Sequence, residues 1–291
     1  MSRAELVGVA LGEALGRDVG ALTLDAAGGG CINSAATVDA AGTRYFVKWN
    51  DRPLPGQFAA EAAGLSALAE SGSSLGIPRP IAWSDEGPGR SFLVLEHLPP
   101  GKRQPGFEQA LGRGLAELHR ATNDRFGFDC EGYCGATPQP NGWLDTWREF
   151  YRERRLGHQL RLAGQRGLGR DGLAAGERLL ARLDDLLADP EPPALIHGDL
   201  WSGNLHVAPD GRPALIDPAA CYGHREAEFG MMLLFGGFSE RVFAAYDDVF
   251  PIQPGWRERV DLYSLYHVLN HYNLFGGGYG SQAVRIMKRY A

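Results

Sequence analysis

The segment LIHGDLWSGNLHVAPDGRPALID, residues 195–217, carries polar side chains at intervals that suit phosphoryl transfer. Asp199 and Asn204 have the spacing D-x-x-x-x-N, His197 lies two residues before Asp199, and Asp217 follows at the end of a short hairpin. In that reaction one carboxylate accepts the proton of the acceptor hydroxyl, while an amide oxygen and a second carboxylate hold Mg²⁺ against the nucleotide phosphates. A polar turn between strands would explain Asp and Asn as turn formers, but would predict neither His197 nor Asp217. The pattern therefore favours a kinase.

A kinase also needs a glycine-rich loop over the phosphates, a strand lysine, and a helix glutamate that holds the lysine. Lys48 lies among apolar neighbours in YFVKWN, where an unpaired ammonium would be costly. Glu61, the acid in the apolar helix FAAEAAGL, is its expected partner, although alone it would pass as a solvent-facing glutamate. The stretch GGGCINSA lacks a Walker motif, but its position between two strands makes it the expected phosphate loop. The residues assigned to this loop are Gly28, Gly29, Gly30, Cys31, Ile32, Asn33 and Ser34.

The elements that must position these groups divide into two lobes. Strand-like runs at 35–38 and 44–49 flank an Ala-Gly turn, a helical pattern runs from Phe58 to Leu68, and two more strands precede Pro99-Pro100-Gly101. The second of these strands ends in Glu96, His97 and Leu98, whose backbone groups are expected to bind the adenine edge; a plain strand end is the alternative.

Helical spacing begins at Phe107 and dominates the rest of the chain, with predicted helices over 143–162, 171–187 and from 227 onwards. In a chain of 291 residues this pattern predicts an α+β fold with two lobes. Residues 1–101 are the expected nucleotide-binding lobe, and residues 102–291 the expected catalytic and substrate-binding lobe.

Charge and composition exclude several classes of protein. The net charge is −6, and no Lys/Arg-rich run is long enough to follow a nucleic-acid backbone. The N-terminus has the pattern of an amphipathic helix rather than a signal peptide, and no stretch has the length of a membrane span. We therefore expect a soluble cytoplasmic protein with no nucleic-acid or membrane partner.

Cys130 and Cys134 could form half of a zinc site, but no second pair at ligand spacing follows.

Five segments together resemble the fructosamine kinase (ketosamine 3-kinase) family: GGGCINSA, PQPNGWLDTWREFYRERRLGHQL, LIHGDLWSGNL, IDPAACYGHREAEFGMMLLFGGF and YHVLNHYNLFGGGY. The family has the protein-kinase-like fold of aminoglycoside phosphotransferases and choline kinases. Its small N-terminal lobe is an antiparallel sheet with one main helix, and its larger C-terminal lobe is mostly helical.

The resemblance implies ATP-dependent phosphorylation of the 3-hydroxyl of a ketosamine, on a small molecule or on a glycated protein lysine. The product is labile, so the amine is deglycated. Matched by position, Asp199 is the catalytic base, Asn204 and Asp217 bind Mg²⁺, and Lys48 is the phosphate lysine held by Glu61.

Further residues are expected at the sugar end of the site. Trp201 follows Asp199 by two residues and offers an aromatic face for a sugar, with a core tryptophan as the alternative. His224 and Glu226 follow the metal-binding aspartate and are expected to line the cleft or brace the catalytic loop, as is the neighbouring Glu228. His271 is expected close to the substrate.

Other interpretations stay open. The chain could phosphorylate another small alcohol, such as an aminoglycoside or a choline-like substrate, or could be an inactive nucleotide-binding scaffold.

Asp217-Pro218-Ala219 replaces D-F-G and lacks one backbone donor, so a Phe-flip switch is not expected. Cys31 is a candidate redox-sensitive thiol. We expect a monomer or a weak homodimer.

Overall fold

The structure is a computed structural model that describes residues 1–27, 33–187 and 190–291. Its N-terminal part contains an antiparallel sheet in the order β1-β2-β3-β5-β4. The strands are β1 (Asp25–Ala27), β2 (Ser34–Ala40), β3 (Thr43–Trp49), β4 (Pro80–Asp85) and β5 (Ser91–Glu96). Five residues of the predicted phosphate loop lie outside the described residues: Gly28, Gly29, Gly30, Cys31, which is the candidate redox-sensitive thiol, and Ile32.

The hairpin between β2 and β3 fixes which face of the sheet each side chain occupies. Ala41 and Gly42 connect the strands with φ values of 51° and 81°, as a tight two-residue turn requires. The resulting register pairs Ala35 with Lys48 and Thr37 with Phe46. Because side chains alternate along a strand, Lys48 shares the face of Phe46 and not that of Val47.

Two helices cover the two faces of this sheet. Helix α1 (Arg3–Leu15) places Val7 and Leu11 in a core with Val47. Helix α2 (Gln57–Glu70) packs on the other face. There its side chains join a second core of fully or almost fully buried residues, namely Phe58, Ala62, Leu65, Leu93 and Leu95. Since Lys48 lies on the α2 face, the sheet presents it towards this helix.

The chain from residue 107 onwards is mostly helical. Its helices are α3 (Phe107–Leu118), α4 (Trp147–Phe150), α5 (Gly157–Arg166), α6 (Arg170–Leu186), α7 (Glu226–Leu234), α8 (Glu240–Asp247), α9 (Trp256–Phe275) and α10 (Gly278–Tyr290). A π-helical turn, Tyr151–Leu156, joins α4 to α5. Helix α9 is buried without a break over residues 262–270, and most of these side chains belong to the main apolar core.

Short strands interrupt the helices and carry the loops of interest. They are β6 (Gly132–Cys134), β7 (Thr137–Gln139), β8 (Ala194–Ile196), β9 (Leu205–Val207), β10 (Pro213–Leu215) and β11 (Cys221–Gly223). The pairs β6 with β7, β9 with β10 and β8 with β11 are antiparallel.

Backbone contacts tie the sheet region to the β9-β10 hairpin. The N–H of Gly76 donates to the carbonyl of Pro213 (2.9 Å), and the N–H of Leu215 donates to the carbonyl of Gly76 (2.9 Å). Further along the chain, the N–H of Gly101 donates to the carbonyl of Val207 (2.9 Å). The lobe boundary at residues 101 and 102 stays a prediction. In the described ranges, no helix is both long and apolar enough for a membrane crossing.

Candidate active site

The loop that follows β8 is held by a buried carboxylate. Glu228, on the first turns of α7, is 0% exposed and accepts hydrogen bonds from the backbone N–H groups of His197 (2.6 Å) and Gly198 (3.1 Å). Burial raises the pKa of Glu228, but the neighbouring His119 side chain and the hydrogen bond from the backbone of His197 outweigh it, so the net pKa is lowered. The carboxylate is therefore ionised and fixes the direction in which the loop leaves the strand.

Gly198 allows the turn that this anchoring demands. Its φ of 81° lies in the left-handed region, and a Cβ atom here would lie 2.2 Å from the carbonyl oxygen of Ala219. The loop and the segment after β10 are thus in direct backbone contact, which the hydrogen bond from Ala219 N–H to the His197 carbonyl (2.9 Å) reinforces. Glycine is needed here for both conformation and space.

His197 joins the same two segments through its side chain. Its Nε2–H donates to the carbonyl of Ile216 (2.9 Å), and its Nδ1 accepts from the N–H of Asp199 (3.3 Å). This pattern needs a neutral ring, and burial lowers the pKa of His197. The histidine is fully buried, so it positions Asp199 and Asp217 rather than contacting a ligand.

Asp199, Asn204 and Asp217 lie together at the mouth of the β9-β10 hairpin. The Nδ2 of Asn204 donates to the backbone carbonyl of Asp199 (2.8 Å) and approaches the carbonyl of Asp217 (3.4 Å). Because the side-chain nitrogen of Asn204 makes these contacts, the side-chain oxygen, Oδ1, is the atom available to a cation. The carboxylate of Asp217 is 52% exposed and is therefore accessible to a ligand.

These donors fit Mg²⁺, which prefers carboxylate and amide oxygens and retains several waters. Asp217 is held in the left-handed region with φ of 53°, a conformation that aspartate tolerates better than most residues. Pro218 follows and further restricts the main chain of Asp217, so the backbone at this residue is strained but well defined.

Lys48 connects the sheet to this group. Its Nζ forms ion pairs with Glu61 of α2 and with Oδ1 of Asp217 (2.8 Å). Burial lowers the pKa of Lys48, but the two carboxylates outweigh it and the net pKa is raised. Burial raises the pKa of Glu61 to about 7 against the opposing effect of Lys48. The predicted contact between Lys48 and Glu61 is present, and the alternative of a solvent-facing Glu61 is wrong, since its side chain is 11% exposed.

Asp199 has the environment of a proton acceptor. Its side chain is 22% exposed. Burial raises its pKa to about 8, with further contributions from Glu228 and Asp217 and an opposing hydrogen bond from Asn204. A carboxyl whose pKa lies close to neutrality suits general-base chemistry, because a more basic carboxylate accepts a proton more readily.

The remaining predicted nucleotide residues that the structure describes lie in or next to β2 and β5. Asn33 accepts a side-chain hydrogen bond from Asn50 (3.3 Å), and Ser34 begins β2 opposite Trp49. The N–H of Glu96 donates to the carbonyl of Arg79 (2.8 Å), so this donor is already used. The half-buried His97 and Leu98 follow β5 and lead towards the helical part.

At the predicted sugar end, Trp201 is exposed and not part of the core. It is 40% accessible, and its indole lies against Gly203, where a Cβ atom would come within 2.2 Å of the ring. His271 is half-buried on α9, and its Nδ1–H donates to the carbonyl of His267 (2.7 Å). Its ring also contacts three aromatic side chains, with centroid distances of 5.0 Å to Phe235, 5.7 Å to Phe275 and 5.1 Å to Tyr279.

His224 and Glu226 require a correction. Both are 2% exposed. Glu226 forms a two-point ion pair with Arg259 (2.6 and 2.7 Å), and the ring of His224 stacks on Tyr263 with centroids 5.9 Å apart. Side chains buried in these contacts cannot line a cleft, so the expectation of substrate contact is wrong for both residues. Of the acids that follow Asp217, Glu228 is the one that braces the catalytic loop.

The arrangement of an antiparallel sheet and a helical lobe occurs in known phosphotransferases. The crystal structure of an aminoglycoside phosphotransferase in ternary complex with AMP-PNP and hygromycin B is 19% identical, with a TM-score of 0.65 and coverage of 98% of both chains. At this identity the likeness shows the fold alone. The predicted protein-kinase-like α+β fold is confirmed.

Closer similarities cover almost the whole chain. The crystal structure of a candidate fructosamine-3-kinase from Thermobifida fusca is 38% identical, with a TM-score of 0.86 and coverage of 97% of both chains. The chloroplastic protein-ribulosamine 3-kinase of Oryza sativa subsp. indica is 44% identical over 266 residues, which are 90% of this chain and 77% of that protein. A model of the fructosamine kinase family matches residues 5–291. The chain therefore belongs to the fructosamine kinase family.

Proposed function

We propose that the protein transfers the γ-phosphoryl group of ATP to the 3-hydroxyl of a ketosamine. The observation that carries this proposal is the single constellation formed by Asp199, Asn204, Asp217 and Lys48, which spans the cleft between the sheet and the helical part. Its chemistry is that of a phosphotransferase, and the family similarity supports a sugar attached to an amine as the acceptor.

Each residue has a distinct task. Asp199 accepts the proton of the acceptor hydroxyl as the hydroxyl oxygen attacks the phosphoryl group. Asn204 and Asp217 would hold Mg²⁺, which neutralises charge on the phosphates when bound. Lys48, presented by β3 and held by Glu61, then moves its contact from Asp217 to the phosphate oxygens. The two carboxylates that raise the pKa of Lys48 keep it charged for this contact.

The acceptor lies on the side of Asp199 that faces Trp201. An exposed indole offers an apolar face to the C–H groups of a sugar, and the ring is fixed by its contact with Gly203. Because Trp201 is exposed, this side of the site is open to either a free glycated amine or a lysine of a glycated protein.

The test is substrate-dependent ADP release in the presence of Mg-ATP. The panel contains ribulosamines, erythrulosamines, fructosamines, aminoglycosides and choline, with Asp199→Asn as the inactive control. We expect turnover of one or more ketosamines, with phosphate on the 3-oxygen as judged by NMR. Turnover of an aminoglycoside or choline, with no ketosamine above the control, would contradict the proposal.

A further inference from the structure

Two buried side chains from distant elements converge behind Asp199. Cys134 ends β6 and His267 lies in the middle of α9, and they are 2% and 3% exposed. The Sγ of Cys134, a ring nitrogen of His267 and a carboxylate oxygen of Asp199 all lie within 4.8 Å of one another. Thiolate, imidazole and carboxylate are the ligand types that Zn²⁺ takes in proteins.

The ring nitrogen of His267 is the second observation that points to a ligand. Its Nδ1 is buried and has no hydrogen-bond partner within the described part of the chain. It faces Oδ1 of Asp199 at 3.9 Å, which is too long for a hydrogen bond. Buried polar atoms are normally paired, so an unpaired nitrogen that faces a carboxylate, in a group that also contains a thiol, has the position of a metal ligand.

The sulfur is oriented by neighbouring side chains. The Nδ2 of Asn270 donates to the Sγ of Cys134 (3.3 Å). The Oδ1 of Asn270 accepts from the Nε2 of Gln159 (3.3 Å), which fixes the amide with its N–H towards the sulfur. Burial raises the pKa of the Cys134 thiol, so the thiolate forms only as a metal binds, and the N–H of Asn270 is placed to stabilise it.

We propose that Cys134, His267 and Asp199 form a site for Zn²⁺, and that Zn²⁺ bound there inhibits the kinase. With ordinary zinc–ligand bond lengths, tetrahedral geometry places the ligand atoms about 3.3–3.6 Å apart. The three side chains must therefore close by about 1 Å, and the partly exposed Asp199 can move most easily. The ion enters from the exposed side of Asp199. The Cys134 thiol and, below about pH 8, the Asp199 carboxyl release their protons to solvent as the ion binds.

The site differs in chemistry from the proposed Mg²⁺ position. Mg²⁺ prefers oxygen ligands, as Asn204 and Asp217 supply, whereas a sulfur and an imidazole select Zn²⁺. Asp199 belongs to both functions, because a carboxylate engaged by Zn²⁺ cannot accept the proton of the acceptor hydroxyl. The inhibition rests on the proposed function, but the binding does not.

Binding is tested without reference to activity by titrating the intact protein with Co²⁺, which reports tetrahedral thiolate coordination through its absorption. We expect a near-ultraviolet sulfur-to-cobalt charge-transfer band that Zn²⁺ abolishes. Cys134→Ser should remove the band and His267→Asn should weaken it, while Cys130→Ser should leave it intact. Absence of the band from the wild type, or its loss in Cys130→Ser only, overturns the proposal.

Inhibition is then measured against buffered free Zn²⁺ at saturating Mg-ATP, with each variant normalised to its own metal-free rate. Loss of an outer-shell partner alone weakens metal affinity by about 10–100-fold, so Cys134→Ser should raise the half-inhibitory Zn²⁺ concentration by at least about 100-fold. His267→Asn provides the same test if Cys134→Ser does not fold, as judged by circular dichroism. Equal inhibition of the wild type and both variants overturns the inhibitory role. A cobalt band in a protein that phosphorylates no ketosamine refutes the proposed function and leaves the metal site standing.

Discussion

The carboxylate of Glu228 accepts hydrogen bonds from two consecutive backbone N–H groups, those of His197 and Gly198, at 2.6 and 3.1 Å. This relationship links the start of α7 to the turn that presents Asp199. Because Glu228 is fully buried, it acts on catalysis through the position of this loop and not through contact with a ligand.

Glu228→Gln should therefore lower kcat with little change in the KM for ATP. The amide offers only one acceptor oxygen, so one backbone donor loses its partner at a cost of about 1–3 kcal/mol. Since 1.4 kcal/mol corresponds to about tenfold in rate, we expect a decrease in kcat of about tenfold or more. Steady-state kinetics and thermal unfolding measure the two effects.

The matched control is Glu226→Gln, two residues earlier on the same helix. It weakens the buried ion pair with Arg259 and should lower Tm while kcat stays close to wild type. If both variants lose kcat in proportion to their loss of Tm, Glu228 has no specific part in positioning the loop.

Asp199→Asn should abolish turnover and leave Mg-ATP affinity nearly unchanged, because Asp199 acts on the acceptor hydroxyl. General-base contributions are about 10²–10⁴-fold. Single-turnover kinetics and nucleotide titration would show the separation. A rate above about a tenth of wild type would mean that another group takes the proton.

The same substitution should change how stability depends on pH. Burial raises the folded-state pKa of Asp199 to about 8, and the unfolded value is about 3.9. Between these values the folded protein retains a proton that the unfolded chain has lost, so this group's stabilising contribution declines as pH rises through the window.

Asparagine does not titrate, so the stability advantage of Asp199→Asn over wild type should be absent below about pH 4 and greatest above about pH 8. Its magnitude is on the order of 3 kcal/mol, because one pKa unit corresponds to about 1.4 kcal/mol and the side chain keeps some solvent contact. Unfolding of both proteins, without nucleotide or Mg²⁺, across this pH range provides the measurement. A difference in Tm that stays constant with pH would show that the pKa of Asp199 is not raised.

Asp217→Ala should lose both activity and the response to Mg²⁺, and should leave Lys48 with one carboxylate partner. Asp217→Asn is the matched variant, because asparagine also tolerates a φ of 53° and so separates loss of charge from backbone strain. Activity is measured as a function of Mg²⁺ concentration. If the Mg²⁺ dependence of either variant matches wild type, Asp217 is not a metal ligand.

The sequence by itself determined the parts of the site that are encoded locally. The D-x-x-x-x-N spacing, the return to Asp217 and the position of Lys48 in an alternating strand follow from turn and strand geometry over a few residues. Glu61 could be matched to Lys48 because a lysine among apolar side chains requires an acid, and the neighbouring helix offers one.

Only the tertiary structure decided between Glu226 and Glu228. Side chains two residues apart on a helix are separated by about 200° around the helix axis. Glu226 therefore faces Arg259, whereas Glu228 faces the catalytic loop. The local sequence does not state which face packs against which neighbour. The sequence also could not predict that Cys134, Asp199 and His267 lie together. Their proximity depends on how β6, the catalytic loop and α9 pack, and these elements are spread over more than 130 residues of chain.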